Sequence, residues 1–189
     1  PRSTLFPYTT LFRSIIFQPE IRHALVRIGH DSRLSKLFAR KKSQLIKTLV
    51  VTAFKLSQRK IGALIALERE DSLERYADGG TSVRSSISPD MITTIFWPGS
   101  PLHDGAVVIS NNEIRAAGCL FPLSESPEIP SSLGTRHRAG IGLTEETDAV
   151  VIIVSEETSK VSVAVRGHLT FDVRRSEERR VGKECRSRW

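Results

Sequence analysis

Two cysteines, one methionine and an aromatic share of 6% leave this 189-residue chain poor in the residues on which several protein classes depend. Cys119 lies in an apolar run and Cys185 in a basic tail. That pair offers neither a metal-ligand spacing nor a disulfide framework, and it fits a reducing, intracellular setting. No stretch reaches the roughly 18 to 20 consecutive apolar residues that a membrane-spanning helix needs. The longest apolar runs, such as Ala149 to Val154, are strand-sized. The signatures G-x-x-x-x-G-K-[ST], G-x-G-x-x-G and G-x-S-x-G are all missing, so P-loop, Rossmann and serine-hydrolase readings lose their main support. No repeat of 20 to 50 residues runs through the chain, which excludes solenoids and propellers.

The net charge of +7 would suit a nucleic-acid partner if it were spread over a domain, but it is concentrated at the ends. Residues 1–14 contribute +2 through Arg2 and Arg13, residues 175–189 contribute +3, and only +2 remains for residues 15–174. Both end segments, PRSTLFPYTTLFRS and RSEERRVGKECRSRW, lack the periodicity of the interior and resemble translated sequencing-adapter sequence. They are set apart as extraneous, which leaves residues 15–174 as one domain. A near-balanced interior with few aromatic residues for base stacking argues against nucleic acid as a partner.

The interior alternates helical and extended patterns. A short amphipathic helix is expected from Phe17, with Pro19 in its first turn and Ile21, Ala24, Leu25 and Ile28 at helical spacing. A second is expected from about Ser43, with Leu45, Ile46, Leu49, Val50, Ala53 and Leu56 on one stripe. Ile61 to Leu67 is an unbroken apolar run of the kind found in a strand covered on both faces. Ser88-Pro89-Asp90 starts a helix whose buried side is Met91, Ile92, Ile95 and Phe96, and Pro98, Gly99 and Pro101 then impose a rigid loop. Residues 106–109 and 114–120 flank Asn111-Asn112 as a hairpin. A helix over 135–143, a buried strand over 150–154 and an antiparallel pair at 161–165 and 169–171 complete the reading. The fold class is α/β, a mixed central β-sheet flanked by helices, with the loops at 98–105, 131–138 and 155–160 as candidates for one functional edge.

Three short segments carry chemistry. In Pro101-Leu-His-Asp-Gly-Ala106, a carboxylate stands just before an apolar strand, where Gly105 permits close backbone approach to a ligand. Asp104 beside a divalent cation can assist loss of a proton from a ribose hydroxyl, because the cation stabilises the alkoxide that forms. A plain Asp-Gly turn capped by Asp104 explains the same residues. In Leu133-Gly-Thr-Arg-His-Arg138, the first-turn N–H groups, the Thr135 hydroxyl, the forks of Arg136 and Arg138 and the His137 ring are all donors to anionic oxygens. A solvated face paired with Glu145 or Glu146 is the competing explanation. Ser155-Glu-Glu-Thr158 adds a hydroxyl and two carboxylates at the end of a third strand. Cys119 fits the core better than a nucleophile's role.

PLHDGA at 101–106, LGTRHRA at 133–139 and VSEET at 154–158, in this order and spacing, resemble the diadenylate cyclase domain family. The resemblance covers roughly residues 16–173, and FQPEIRHAL with IGALIALERE resembles the membrane-anchored class of that family. In that class three transmembrane helices precede the domain and tether it to the inner face of the cell membrane. They are absent from this sequence, and the chain itself is expected to be cytoplasmic.

The resemblance implies an ATP-using enzyme that makes cyclic di-AMP, with Mg²⁺ or Mn²⁺ as its cofactor. It implies that Asp104 is the catalytic and metal-binding acid, with Gly105 and Ala106 beside the ribose. It further implies that Thr135, Arg136, His137, Arg138 and Ser155 bind phosphate, that His103 and Glu157 join Asp104 at the metal, and that Leu120 and Phe121 pack the adenine. Gly140 stands where many relatives carry alanine, at a cost of about 1 kcal/mol in a helix. A symmetric product implies a homodimer with two facing half-sites, and a membrane-bound regulatory protein is a possible further partner. The rival from another class is a sensor that binds the nucleotide without turning it over.

Overall fold

The computed structural model describes residues 32–127, 129–130 and 133–173. The helix expected from Phe17 and the two end segments lie outside the described residues. Residues 1–41 and 42–189 form two compact units, and in the first the described residues 32–41 are all helical.

Helix α1 spans Ser32–Gln58 and so starts eleven residues before the position expected from the apolar stripe. The intervening residues hold no Gly or Pro and place Leu34, Leu37 and Phe38 at helical spacing, but the basic run Arg40-Lys41-Lys42 separates them from the stripe that begins at Leu45. From Ile46 onward the stripe is as expected: Ile46, Leu49, Val50, Ala53 and Leu56 are buried. Strand β1 (Ala63–Leu67) is buried throughout. A four-residue helix α2 (Glu74–Ala77) and a strand β2 (Thr81–Ser86) follow, and neither was anticipated. Helix α3 (Pro89–Phe96) begins at Ser88, whose side chain accepts a hydrogen bond from the Met91 N–H, with Pro89 in the first turn. Ile92, Ile95 and Phe96 are buried as expected, but Met91 is 37% exposed because it flanks that stripe rather than lying on it.

Strands β3 (Ala106–Ser110) and β4 (Glu113–Cys119) form the expected hairpin, and both turn residues, Asn111 and Asn112, take positive φ, at 51° and 66°. Helix α4 (Thr135–Glu146), strand β5 (Val150–Val154), strand β6 (Val161–Val165) and strand β7 (His168–Thr170) complete the order. The sheet runs β2-β4-β3-β1-β5-β6-β7, with only the β1–β3 pair parallel.

Because alternate strand residues point to opposite faces, the sheet supports two cores. Ala63, Ile65 and Leu67 of β1 join Leu49, Ala53, Leu56, Ile92, Ile95 and Phe96 on the face covered by α1 and α3. Leu64 and Ala66 join Ala77, Ala139, Leu143 and Phe121 on the face covered by α2 and α4. Two-sided cover explains why β1 and β5 read as unbroken apolar runs.

Candidate functional site

Strand register decides which loops share an edge. Parallel β1 and β3 pair Ile65 with Val107, so the residues preceding both strands lie at the same end of the sheet. Antiparallel pairing brings the ends of two more strands to that row, through Ala106 with Cys119 and Ala63 with Val154. Asp104, Gly62, Leu120 and Ser155 therefore stand in line along one edge, in the strand order β4-β3-β1-β5. Ligands of open α/β sheets usually lie beyond the carboxyl ends of the strands. Here the starts of β1 and β3 and the ends of β4 and β5 are mixed.

Asp104 is exposed and makes no hydrogen bond or ion pair among the described residues, so its carboxylate is available to a ligand. Gly105 has a φ of +153°, and a Cβ there would lie 2.6 Å from the Gly118 carbonyl carbon and 2.7 Å from its Cα. The close approach that this glycine permits is therefore to the chain's own β4. Ala106 is fully buried at the start of β3. His103 is half-buried, and its Nδ1 bonds the Ser100 carbonyl, so Nδ1 carries the proton and Nε2 is the atom free to ligate.

Thr135 is exposed at the first position of α4, and Gly134 before it offers no side-chain cap; the His137 N–H bonds the Gly134 carbonyl, while the Thr135 and Arg136 N–H groups have no partner among the described residues and can meet an anion. Arg136 is 24% exposed, and its Nη1 lies 2.9 Å from Glu156 Oε2. That pair joins the N-terminus of α4 to the loop after β5. The pairing of this basic segment with Glu145 or Glu146 does not occur: Glu145 accepts from Ser124 Oγ at 2.6 Å, and Glu146 pairs with Arg75 at 2.7 Å. Arg138 is partly exposed and makes no ion pair among the described residues, while its carbonyl accepts the Ser124 N–H. His137 is buried, and burial pushes its pKa below the ordinary histidine value, which favours a neutral ring with a single N–H.

Ser155 Oγ accepts the Thr158 N–H at 3.2 Å and keeps its own proton to donate. Lys160 and Ser159 backbone bonds to Ser155, with Ser57 Oγ donating to the Ser159 carbonyl, hold this loop against the end of α1. Glu157 is exposed. Leu120 is 77% exposed at the edge, whereas the Phe121 ring is buried and meets Tyr76 edge-on at 5.7 Å. Cys119 is buried in the core, and burial raises its pKa to about 11, which removes it as a nucleophile near neutral pH.

The edge thus gathers Asp104, the basic start of α4, Ser155 and Leu120. It does not gather a complete metal cage: among the described residues no three His, Cys, Asp or Glu side chains are grouped to hold an ion. Strand spacing explains this, since β3 and β5 lie two strands apart, roughly 10 Å. Reasoning from sequence missed Gly62, Gly118 and Gly142, and it singled out both carboxylates at 156–157 without foreseeing that Glu156 pairs with Arg136. The adjacent Glu156 and Glu157 are indistinguishable as sequence, and each of these glycines faces a partner distant along the chain.

The chain is similar to several known proteins. It is 45% identical over 158 residues to the cyclic di-AMP synthase CdaA of Bacillus subtilis, covering 82% of this chain and 58% of that protein. It is 41% identical over 166 residues to a diadenylate cyclase of Listeria monocytogenes, covering 86% of this chain and 61% of that one. The chain therefore spans about three-fifths of the length of these relatives. A solved structure of DacA from Staphylococcus aureus superposes with a TM-score of 0.73 at 39% identity, covering 77% of this chain and 98% of that one. Residues 50–169, which run from the end of α1 into β7 and hold the whole edge described above, match the family described as DAC, DisA bacterial checkpoint controller nucleotide-binding, and the chain belongs to that family.

Proposed function

We propose that this chain is the catalytic domain of a diadenylate cyclase, joining two ATP molecules into cyclic di-AMP with release of two pyrophosphates. The observation that carries the reading is the strand register, which lines up a free carboxylate, an uncapped basic helix start and a hydroxyl loop on one sheet edge. The names of the relatives supply the substrate class: a cyclic di-AMP synthase and a diadenylate cyclase.

In this reading the α4 N–H groups, Thr135, Arg138 and Ser155 receive the triphosphate, and the exposed Leu120 offers an apolar surface to the base. Asp104 lies beside the ribose and accepts the proton of the 3′-hydroxyl as that oxygen attacks the α-phosphorus of the second ATP. The α-phosphorus bond to the pyrophosphate oxygen breaks as the new ester forms, and a second attack in the opposite sense closes the ring. The carboxylates of Asp104 and Glu157 are hard oxygen donors suited to Mg²⁺ or Mn²⁺, and the Nε2 of His103, a borderline donor, would suit Mn²⁺ better than Mg²⁺. Such an ion is commonly held by one or two protein groups plus phosphate oxygens and water, so a complete protein cage is not required. When bound, the ion lowers the cost of forming the alkoxide.

Incubating the purified chain with ATP and Mn²⁺ should yield cyclic di-AMP by mass spectrometry. Asp104→Ala should abolish the product while leaving ATP affinity within about threefold, and Arg138→Ala should weaken ATP binding by about tenfold or more. ATP binding by the unaltered protein without any product would identify a nucleotide sensor instead. Near-normal turnover by Asp104→Ala would remove that residue from the chemistry.

A further inference from the structure

Gly62, Arg136 and Glu156 come from three elements far apart in sequence and meet in one contact. A Cβ built on Gly62 would lie 2.7 Å from Arg136 Nη1, 2.7 Å from Glu156 Oε2 and 2.9 Å from Arg136 Cζ. The guanidinium and its carboxylate partner thus lie directly against bare backbone just before β1, in space that any side chain at position 62 would take. The pair itself is 2.9 Å long and joins Nη1 to one carboxylate oxygen. The rest of the arginine's five-donor fork remains for another acceptor.

Exposed ion pairs between long, freely turning side chains contribute little, because ordering them costs entropy. This pair differs on both sides. Arg136 is only 24% exposed and walled by Gly62, and Glu156, whose side chain is 53% exposed, stands on a loop whose backbone is pinned by the Ser57, Ser155, Thr158 and Ser159 bonds. An arginine already held in one place loses less freedom when an anion arrives.

We infer that Glu156 is a positioning residue: its carboxylate, seated over Gly62, holds the Arg136 fork in the orientation that meets the triphosphate of ATP. The inference rests on the cyclase reading of the same edge and adds to it a division of labour between two adjacent acids. Glu156 acts through Arg136, whereas Glu157 faces solvent, free for the ion. Gly62 is the third member, since it provides the space the pair fills.

The test compares Glu156→Ala, Glu156→Gln and Gly62→Ala in the full chain, with KM and kcat read separately. Glu156→Ala should raise the KM for ATP about fivefold with kcat little changed. Glu156→Gln keeps an acceptor oxygen without the charge and should restore most of that loss. Gly62→Ala should raise KM similarly by forcing the pair apart, and Gly62→Ala/Glu156→Ala should be no worse than the worse single variant. Unchanged KM in Glu156→Ala, a lower KM in both Glu156 variants as expected of a competitor for phosphate, or full additivity in the double variant would each overturn the inference. A purely structural effect would lower the amount of folded enzyme, and so apparent kcat, without moving KM. Calorimetric binding of inorganic tripolyphosphate separates the two proposals. Affinity that depends on Glu156 without cyclic di-AMP formation upholds the positioning role and removes the cyclase reading, and cyclic di-AMP made by Glu156→Ala at unchanged KM does the reverse.

Discussion

His137 shows at the scale of one residue how burial changes a role inferred from type alone. The sequence presents Arg-His-Arg as three cationic donors, but the middle side chain turns into the interior and burial lowers its pKa. A base whose folded pKa lies below its unfolded value of about 6.5 binds its proton more readily when unfolded. Its contribution to stability is therefore fully present above that pH and is lost as pH falls toward the folded pKa. Melting temperature followed between pH 7.5 and 5 should fall less steeply in His137→Gln than in the unaltered protein. Parallel profiles would place the ring in contact with solvent. Arg136 and Glu156 make the complementary point, since the partner of the arginine lies twenty residues away and no local pattern announces it.

Glycine decides how the elements approach each other. In α4, Gly140 was expected to weaken the helix, yet a Cβ there would come within 2.7 Å of Ile153 Cδ1, so its bare surface lets α4 settle on β5. Gly142 is stricter: a Cβ would lie 2.2 Å from the Pro122 carbonyl oxygen and 2.8 Å from the Ser124 nitrogen, both backbone atoms with little freedom to retreat. Gly142→Ala gains about 1 kcal/mol in helix propensity. It must also displace the segment after β4, at about 2 to 3 kcal/mol. A net fall in melting temperature of about 3 to 6 °C is expected, and a rise would show that this segment yields easily. Elements with a strong pattern were legible in the sequence: β1 and β5 from their unbroken apolar runs, α3 from Ser88-Pro89, and the hairpin from Asn111-Asn112. Strand β2 was not, because Thr-Ser-Val-Arg-Ser-Ser at a sheet edge buries no continuous face and reads as loop. The first eleven residues of α1 were missed for a different reason, since Arg40-Lys41-Lys42 separate Leu34, Leu37 and Phe38 from the apolar stripe used to find the helix.

For the whole molecule, the decisive feature is how open the candidate edge is. Asp104, Leu120, Thr135, Glu156 and Glu157 are all exposed, so a nucleotide resting on them keeps one side in solvent. In water the attraction between unit charges 4 Å apart is only about 1 kcal/mol, against about 4 kcal/mol near a protein surface of lower effective dielectric. Charge stabilisation at the phosphates is therefore weak until something covers that side. The proposed reaction supplies a natural cover, because each ATP needs another held antiparallel to it, and a second copy of this chain related by a two-fold axis presents one in the required orientation. The edge was legible as three loops, but its incompleteness was not, since exposure is a property of the folded chain. If the covered state is the working one, product formed per protomer should fall steeply as the protein is diluted through its dimer dissociation constant. A crowding partner of the same chain carrying Asp104→Ala should lower the rate further by pairing with intact copies. Turnover strictly proportional to protein concentration over a hundredfold range, with a single-chain mass throughout in light scattering, would mean that one edge suffices alone and that the symmetric mechanism is wrong.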